Sequence, residues 1–390
     1  MNGRRAAAVG AVATATAATV TGAALTATAV SFARAVVTPR RHKPDDLEVL
    51  QVGPRRVVLS ATVDTVVPGR YGVWTDGGRG HFRVGEILES REGRVTRELL
   101  GVDAGVPAPG RARWNQYYFA GDPTAALGLP HEDVLVPSDV GALPCWSVPG
   151  PVDGASGTWA VLVHGRGATR EEALRAVPVL HGLGVPCLVP AYRNDADAPT
   201  VKPGLYGLGD TEWRDVEAVA RYALDRGARR LLLVGWSMGG AIVLQFVARS
   251  PLAEHVTSLV LDGPVVDWFD VLDHQARQAG VPVRLGRLGV QLLGHPVGRR
   301  LVGVPGPVDL RAMDWVRRAE ELQLPVLLLH SDADDYVPSG PSQRLAQARP
   351  DLITYVASST ARHTKEWNVD PQGWESAVRG FLTPGLEADA

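Results

Sequence analysis

The chain has 390 residues, 45% hydrophobic and 21% charged, with 40 Lys and Arg against 42 Asp and Glu and a formal net charge of −2. This balance lacks the basic excess of a nucleic-acid binder, and the apolar fraction is too high for a disordered chain. Two cysteines, Cys145 and Cys187, are too few for a disulfide framework or a Cys-ligated zinc module and read as free core thiols, with a disulfide between them the alternative if the chain is exported.

From Ala6 to Ala33 no residue is charged. About 20 apolar residues suffice to span a bilayer as a helix with every backbone group satisfied internally. Residues 1–35 therefore read as an N-terminal membrane anchor, or as a signal segment cut near Ala33-Arg34-Ala35 or Ala27-Thr28-Ala29. Either address makes the rest of the chain membrane-anchored by one N-terminal helix or exported, with an extracytoplasmic catalytic part. Residues 36–48 are rich in Pro and charge and read as a linker.

Residues 49–132 read as a β-rich lead-in. Short β-like runs at 56–62, 70–75, 81–88, 94–100 and 115–119 are separated by turn residues such as Asp76-Gly77-Gly78. From 133 to 383 the rhythm changes. After a strand pair at 134–136 and 143–148, apolar strands at 158–163, 185–190, 230–234, 256–261, 325–330 and 353–356 alternate with helical stretches at 170–183, 211–226, 238–249 and 375–382. That alternation is the pattern of right-handed βαβ units and a mostly parallel sheet. Residues 263–319 interrupt it as a helical insertion, placed where a lid would sit, with Trp268, Phe269, Leu293 and Leu301 as candidates to line an acyl pocket.

The chemistry concentrates at three loops. Gly235-Trp236-Ser237-Met238-Gly239 matches G-x-S-x-G between a strand and a helix. A serine there sits on a sharp turn that projects its hydroxyl above the sheet, and Gly235 and Gly239 are small because strand and helix approach closely. Acyl transfer also needs two donors aimed at the developing oxyanion. One is the amide of Met238. The other is assigned to Arg166, in the loop His164-Gly165-Arg166-Gly167 after an earlier strand. His164 reads as shaping that loop rather than moving protons.

A serine hydroxyl needs a base, and the base needs an orienting carboxylate. The chain order for this arrangement is Ser, then Asp or Glu, then His. Ser331-Asp332-Ala333-Asp334-Asp335 follows one strand, and His363 follows the last. Asp334 is the preferred orienter, then Asp332, then Asp335. No H-E-x-x-H, C-x-x-C or carboxylate cluster points to a metal, and no G-x-G-x-x-G follows a strand where a dinucleotide would bind, so no cofactor is expected.

His164-Gly165-Arg166-Gly167, Tyr192-Arg193, Gly235-Trp236-Ser237-Met238-Gly239-Gly240, Leu261-Asp262-Gly263-Pro264, Asp334-Asp335-Tyr336-Val337-Pro338 and His363 together resemble the α/β-hydrolase fold superfamily. The resemblance covers about 133–383. It implies an α/β-hydrolase fold, a twisted, mostly parallel sheet flanked by helices, and the triad Ser237, Asp334 and His363. The implied activity is that of a serine hydrolase cleaving a small-molecule acyl ester or thioester through an acyl-enzyme. Two departures narrow it. The loop is His-Gly-Arg-Gly rather than the His-Gly-Gly-Gly of hormone-sensitive-lipase-like esterases, and the lead-in is too short for the propeller of prolyl-oligopeptidase-like peptidases. A peptidase or amidase of that type, an acyltransferase, and a catalytically silent membrane-tethered binding protein remain the alternatives.

Overall fold

The computed structural model of the protein describes residues 24–39, 44–151 and 157–387. Helix α1 covers residues 24–37. Six strands follow: β1 (Leu47–Gly53), β2 (Arg56–Ser60), β3 (Tyr71–Thr75), β4 (Gly80–Arg91), β5 (Arg94–Ala104) and β6 (Gly110–Asn115). They close, all antiparallel, into a barrel of order β1-β2-β5-β4-β3-β6, with β6 returning to β1. Closure removes the exposed edges that an open sheet of this size would present. Alternate residues point inward, so Leu47, Val49, Val57, Leu59, Val73 and Val84 fill the interior.

Arg97 follows Val95 at the inward period of β5 and is fully buried. Its guanidinium donates to the carbonyls of Gly85, Thr65, Val67 and Gly69 at 2.6–2.9 Å and lies over the rings of Tyr71 and Trp114. Burial lowers the pKa of Arg97 to about 10, so it remains charged at neutral pH. A cation is tolerated here because carbonyl dipoles and ring faces replace its water.

A short helix, α2 (Pro123–Leu127), leads to the second sheet, built from β7 (Glu132–Ser138), β8 (Gly141–Val148), β9 (Thr158–Val163), β10 (Cys187–Pro190), β11 (Arg230–Trp236), β12 (Val256–Asp262), β13 (Val326–Ser331) and β14 (Ile353–Ser358). Its order is β14-β13-β12-β11-β9-β10-β8-β7; β9 to β14 are parallel, and β7 and β8 form an antiparallel edge. Strands β9, β11, β12 and β13 are near-continuous apolar runs because helices cover both faces. The helices are α3 (Val177–Gly182), α4 (Trp213–Asp225), α5 (Met238–Arg249), α6 (Trp268–Gln278), α7 (Val283–Gly294), α8 (Gly298–Val302), α9 (Gly340–Ala348), α10 (Glu366–Val369) and α11 (Pro371–Glu387). The α/β-hydrolase fold, the β-rich N-terminal region and the helical insertion between β12 and β13 match the sequence expectation.

Local differences have local causes. Residues 116–119, read as strand, leave the barrel as an irregular segment whose Tyr117 and Tyr118 are buried. Residues 170–183 split into a 3-10 turn and α3 at Pro178, which sits in the first turn of α3. Cys145 and Cys187 are free and buried.

Residues 1–23, which include most of the uncharged N-terminal run, lie outside the described residues, as do 40–43 of the linker. Among the described residues no helix is long and apolar enough to cross a membrane. Helix α1 instead packs on the insertion. Ala29, Ala33, Val36 and Val37 are buried. Small residues let the helices approach closely: a Cβ on Gly289 of α7 would lie 2.6 Å from the Ala29 carbonyl. Arg34 donates to the Val302 carbonyl at 2.9 Å, and the amide of Tyr206 donates to that of Val37 at 2.8 Å.

Candidate active site

Ser237 sits between β11 and α5 with φ 53° and ψ −117°, a conformation that costs a non-glycine residue strain. The packing that holds it there leaves no room beside it. A Cβ on Gly239 would fall 2.0 Å from the Val163 carbonyl, and one on Gly235 would fall 2.7 Å from the backbone of Gly239. The Ser237 carbonyl accepts from the amides of Gly240 and Val265 at 3.0 Å, and its own amide donates to Asp262. Trp236 is fully buried behind it.

His363 follows β14 and Asp334 follows β13. Their separate loops bring them to Ser237: His363 Nε2 is 2.8 Å from Ser237 Oγ, and His363 Nδ1 is 2.6 Å from Asp334 Oδ2. Asp334 Oδ1 accepts from the amides of Tyr336 and Val337 at 2.8 Å each. His330 Nε2 lies 3.3 Å from Asp334 Oδ2. Burial alone would raise the Asp334 carboxyl, but His363 and His330 outweigh it and hold it well below the usual carboxylate range. Burial likewise opposes charge on His363, and Asp334 overrides it, so the imidazole is raised above its ordinary value.

The other two carboxylates of the loop go elsewhere. Asp332 accepts from Ser339 and Gln343, and Asp335 pairs with Arg362.

Met238 opens α5, so its amide belongs to the first turn, where no intrahelical acceptor exists. Gly165 and Arg166 stand opposite Ser237; a Cβ on Gly165 would be 3.1 Å from that of Ser237. Glu172 accepts from the Gly165 amide at 2.7 Å and from Gln116 at 3.2 Å. Burial would raise the Glu172 carboxyl, but Arg175 and the Gly165 amide hold it down. His164 is fully buried, with Nδ1 against the Gly165 carbonyl and Nε2 against Asp195. Both neighbours are acceptors and favour the charged ring. Burial opposes that charge, but Asp195 pushes the His164 pKa up to about 9. Tyr192 stacks on the ring and donates to the carbonyls of His164 and Gly165.

The Arg166 side chain does not face solvent. It donates to Tyr336 Oη and to the carbonyls of Ala35 and Thr38 at the end of α1. A cation there also complements the helix C-terminus.

Sequence reasoning missed three further groups. Asp64, in a barrel loop, pairs with Lys365 at 2.5 Å and with Arg362 at 3.3 Å, so it holds the loop on both sides of His363. Asn368 donates to the carbonyls of Arg70 and Gln116, fastening the barrel to the segment after that loop. Beneath the triad, Glu366 accepts from the Ser331 amide at 3.0 Å; burial and the Asp262 charge raise its carboxyl well above the usual range. No motif marks these long-range contacts.

Two cavities meet at Ser237. The larger, about 360 Å³, runs between barrel and sheet domain and is lined by Asp46, Arg113 and Gln116 on one side and by His363 and Lys365 on the other. The smaller, about 10 Å³, is walled by Val36, Val265, Trp268, Val271 and Val337 together with Arg166, Gln275 and Tyr336. Of the other insertion residues picked from sequence, Phe269 lines a separate cleft, Leu293 is buried in the core and Leu301 is 58% exposed.

Residues 161–282 match the family described as alpha/beta hydrolase fold, and residues 48–115 match a domain of unknown function, DUF8805, which coincides with the barrel. The chain is 27% identical over 263 residues to the uncharacterized protein Rv2307c of Mycobacterium tuberculosis, covering 67% of this chain and 83% of the relative. Among solved structures, the Pyrococcus furiosus esterase Pf2001 superposes with a TM-score of 0.53 at 18% identity, over 68% of this chain and 95% of that one. That likeness is one of fold.

Proposed function

We propose that the protein, which has the α/β-hydrolase fold and matches that family's model over residues 161–282, is a serine hydrolase that cleaves an ester or thioester. The observation that carries this reading is the hydrogen-bonded line from Ser237 Oγ through His363 to Asp334, at 2.8 and 2.6 Å, on a strained turn.

In this mechanism His363 Nε2 takes the Ser237 proton as Oγ attacks the acyl carbonyl. The amides of Met238 and Arg166 stabilise the oxyanion, and Asp334 fixes the imidazole tautomer and supports the imidazolium. The intermediate collapses, His363 gives its proton to the leaving alcohol or thiol, and the acyl group stays on Ser237. Water then attacks, His363 removes its proton, and collapse returns that proton to Ser237 as the acid leaves. Ser237→Ala should lower kcat on p-nitrophenyl acetate by on the order of 10⁶-fold, to background. Retained turnover would remove Ser237 from the mechanism.

For the N-terminus we propose an uncleaved membrane anchor. The uncharged run from Ala6 to Ala33 supports an address, and the burial of Ala29, Ala33, Val36 and Val37 against the insertion supports keeping α1 with the folded enzyme. Intact mass of the protein recovered from membranes tests this. A mature N-terminus at residue 30 or later would contradict it.

A further inference from the structure

The two cavities at Ser237 are unequal, and His363 tells them apart. His363 must deliver a proton to the leaving oxygen, so the alcohol lies on the side His363 lines. That is the larger cavity; the smaller one does not include His363. The acyl group must therefore enter the smaller cavity. Four valines and Trp268 wall it together with Arg166, Gln275 and Tyr336, and its open space of about 10 Å³ is the room of roughly one water. One wall, Val36, comes from α1, outside the sheet domain, and is held there by the bonds from Arg166 to Ala35 and Thr38. A long chain could enter only by displacing α1 or α6.

The larger cavity differs in size and in the number of charged groups that line it. Its volume of about 360 Å³ suits a bulky ligand group. Arg113 of β6, with Asp46 just before β1 and Gln116 just after β6, supplies one wall, and Lys365 lines the cavity from the catalytic loop. Hydrogen-bonding groups so placed fit a polar alcohol rather than a lipid tail.

Resting on the serine-hydrolase reading above, we propose that the substrate is an ester of a short acyl group, of acetyl size, with a bulky polar alcohol, the acyl side being closed by Val36 of α1 and the alcohol side recognised by the barrel. The cleavage is the two-step transfer already written, with water as the second nucleophile and acetic acid and the alcohol as products.

The test uses the full chain. First, kcat/KM is measured on p-nitrophenyl acetate, butyrate and octanoate. The proposal expects at least a tenfold fall from acetate to octanoate. Val36→Ala, and separately Val271→Ala, should narrow that ratio at least tenfold, with folding checked by thermal melting. Second, methyl 6-O-acetylglucoside is compared with cyclohexyl acetate, and the polar acetate should be preferred at least tenfold. A profile that rises with chain length, or a preference for cyclohexyl acetate, overturns the proposal. Labelling of Ser237 by a fluorophosphonate separates the two levels. Labelling with a reversed profile sinks only the substrate assignment, whereas no labelling and no turnover of any ester sinks the serine-hydrolase reading and this inference with it.

Discussion

The guanidinium of Arg166 donates to the carbonyl of Ala35 at 2.6 Å, joining the proposed oxyanion loop to the last turn of the N-terminal helix. In the proposed mechanism one residue thus gives its amide to the oxyanion, while its side chain holds the segment that walls the smaller cavity. The N-terminal helix is part of the site rather than an appendage to it.

Deletion of residues 1–39 should therefore change both stability and specificity. Val36 and Val37 are buried, and each contributes about 1.5–3 kcal/mol by burial. The shortened chain should melt lower than the full chain and show a smaller acetate-to-octanoate ratio. Equal melting temperatures and an unchanged ratio would show that α1 does not pack there in solution.

The pH dependence follows from His363. As the base it must be neutral, and Asp334 raises its pKa above the ordinary value of about 6.5. Below the shifted value it is imidazolium and cannot accept the Ser237 proton. The acid limb of kcat/KM should accordingly have its midpoint above 6.5. Asp334→Asn removes the charge that raises it, so the midpoint should fall and kcat should drop by on the order of 10³–10⁴-fold. An unmoved midpoint in the variant would contradict the pairing.

Asp64 makes a sharper test of the barrel's role, because it touches no reacting atom. It holds Lys365 and Arg362, the neighbours of His363 on either side. Asp64→Asn should lower kcat severalfold while Asp64→Glu restores part of it, and the acid limb of the pH profile should broaden or shift as His363 loses its fixed position. A loss of melting temperature with kcat and pH profile unchanged would assign Asp64 a structural role alone.

Arg97 should govern the barrel itself. Arg97→Met leaves the carbonyls of Gly85, Thr65, Val67 and Gly69 without this donor, and leaving buried acceptors unmet costs about 1–3 kcal/mol apiece before relaxation and water recover part of it. A net loss on the order of 4 kcal/mol in denaturant unfolding is expected. A variant as stable as the parent would mean that this loop does not depend on Arg97.

These residues also show what a sequence can carry. The sheet was legible because buried parallel strands are apolar runs and helices alternate with them. Ser237, Asp334 and His363 stood out because each follows a strand in a fixed chain order. Arg97 was not legible: its position two residues after Val95 puts it on the inner face, but charge argues for the outer one until the carbonyls around it are seen. Helix α1 was ambiguous for a different reason. Ala29 and Ala33 suit a membrane span, and they equally suit close packing against Gly289. Asp64, Arg113 and Gln116 reach the site only because the barrel closes and docks, and no local pattern encodes that.

The central claim is that Ser237 is a nucleophile activated by His363. Its most direct measurement is intact and peptide mass spectrometry of the full chain after treatment with a fluorophosphonate, beside Ser237→Ala and His363→Ala. The account predicts one adduct per chain, located on Ser237, absent in Ser237→Ala and slowed at least a hundredfold in His363→Ala. An unlabelled wild-type chain, or an adduct that persists in Ser237→Ala, would contradict it.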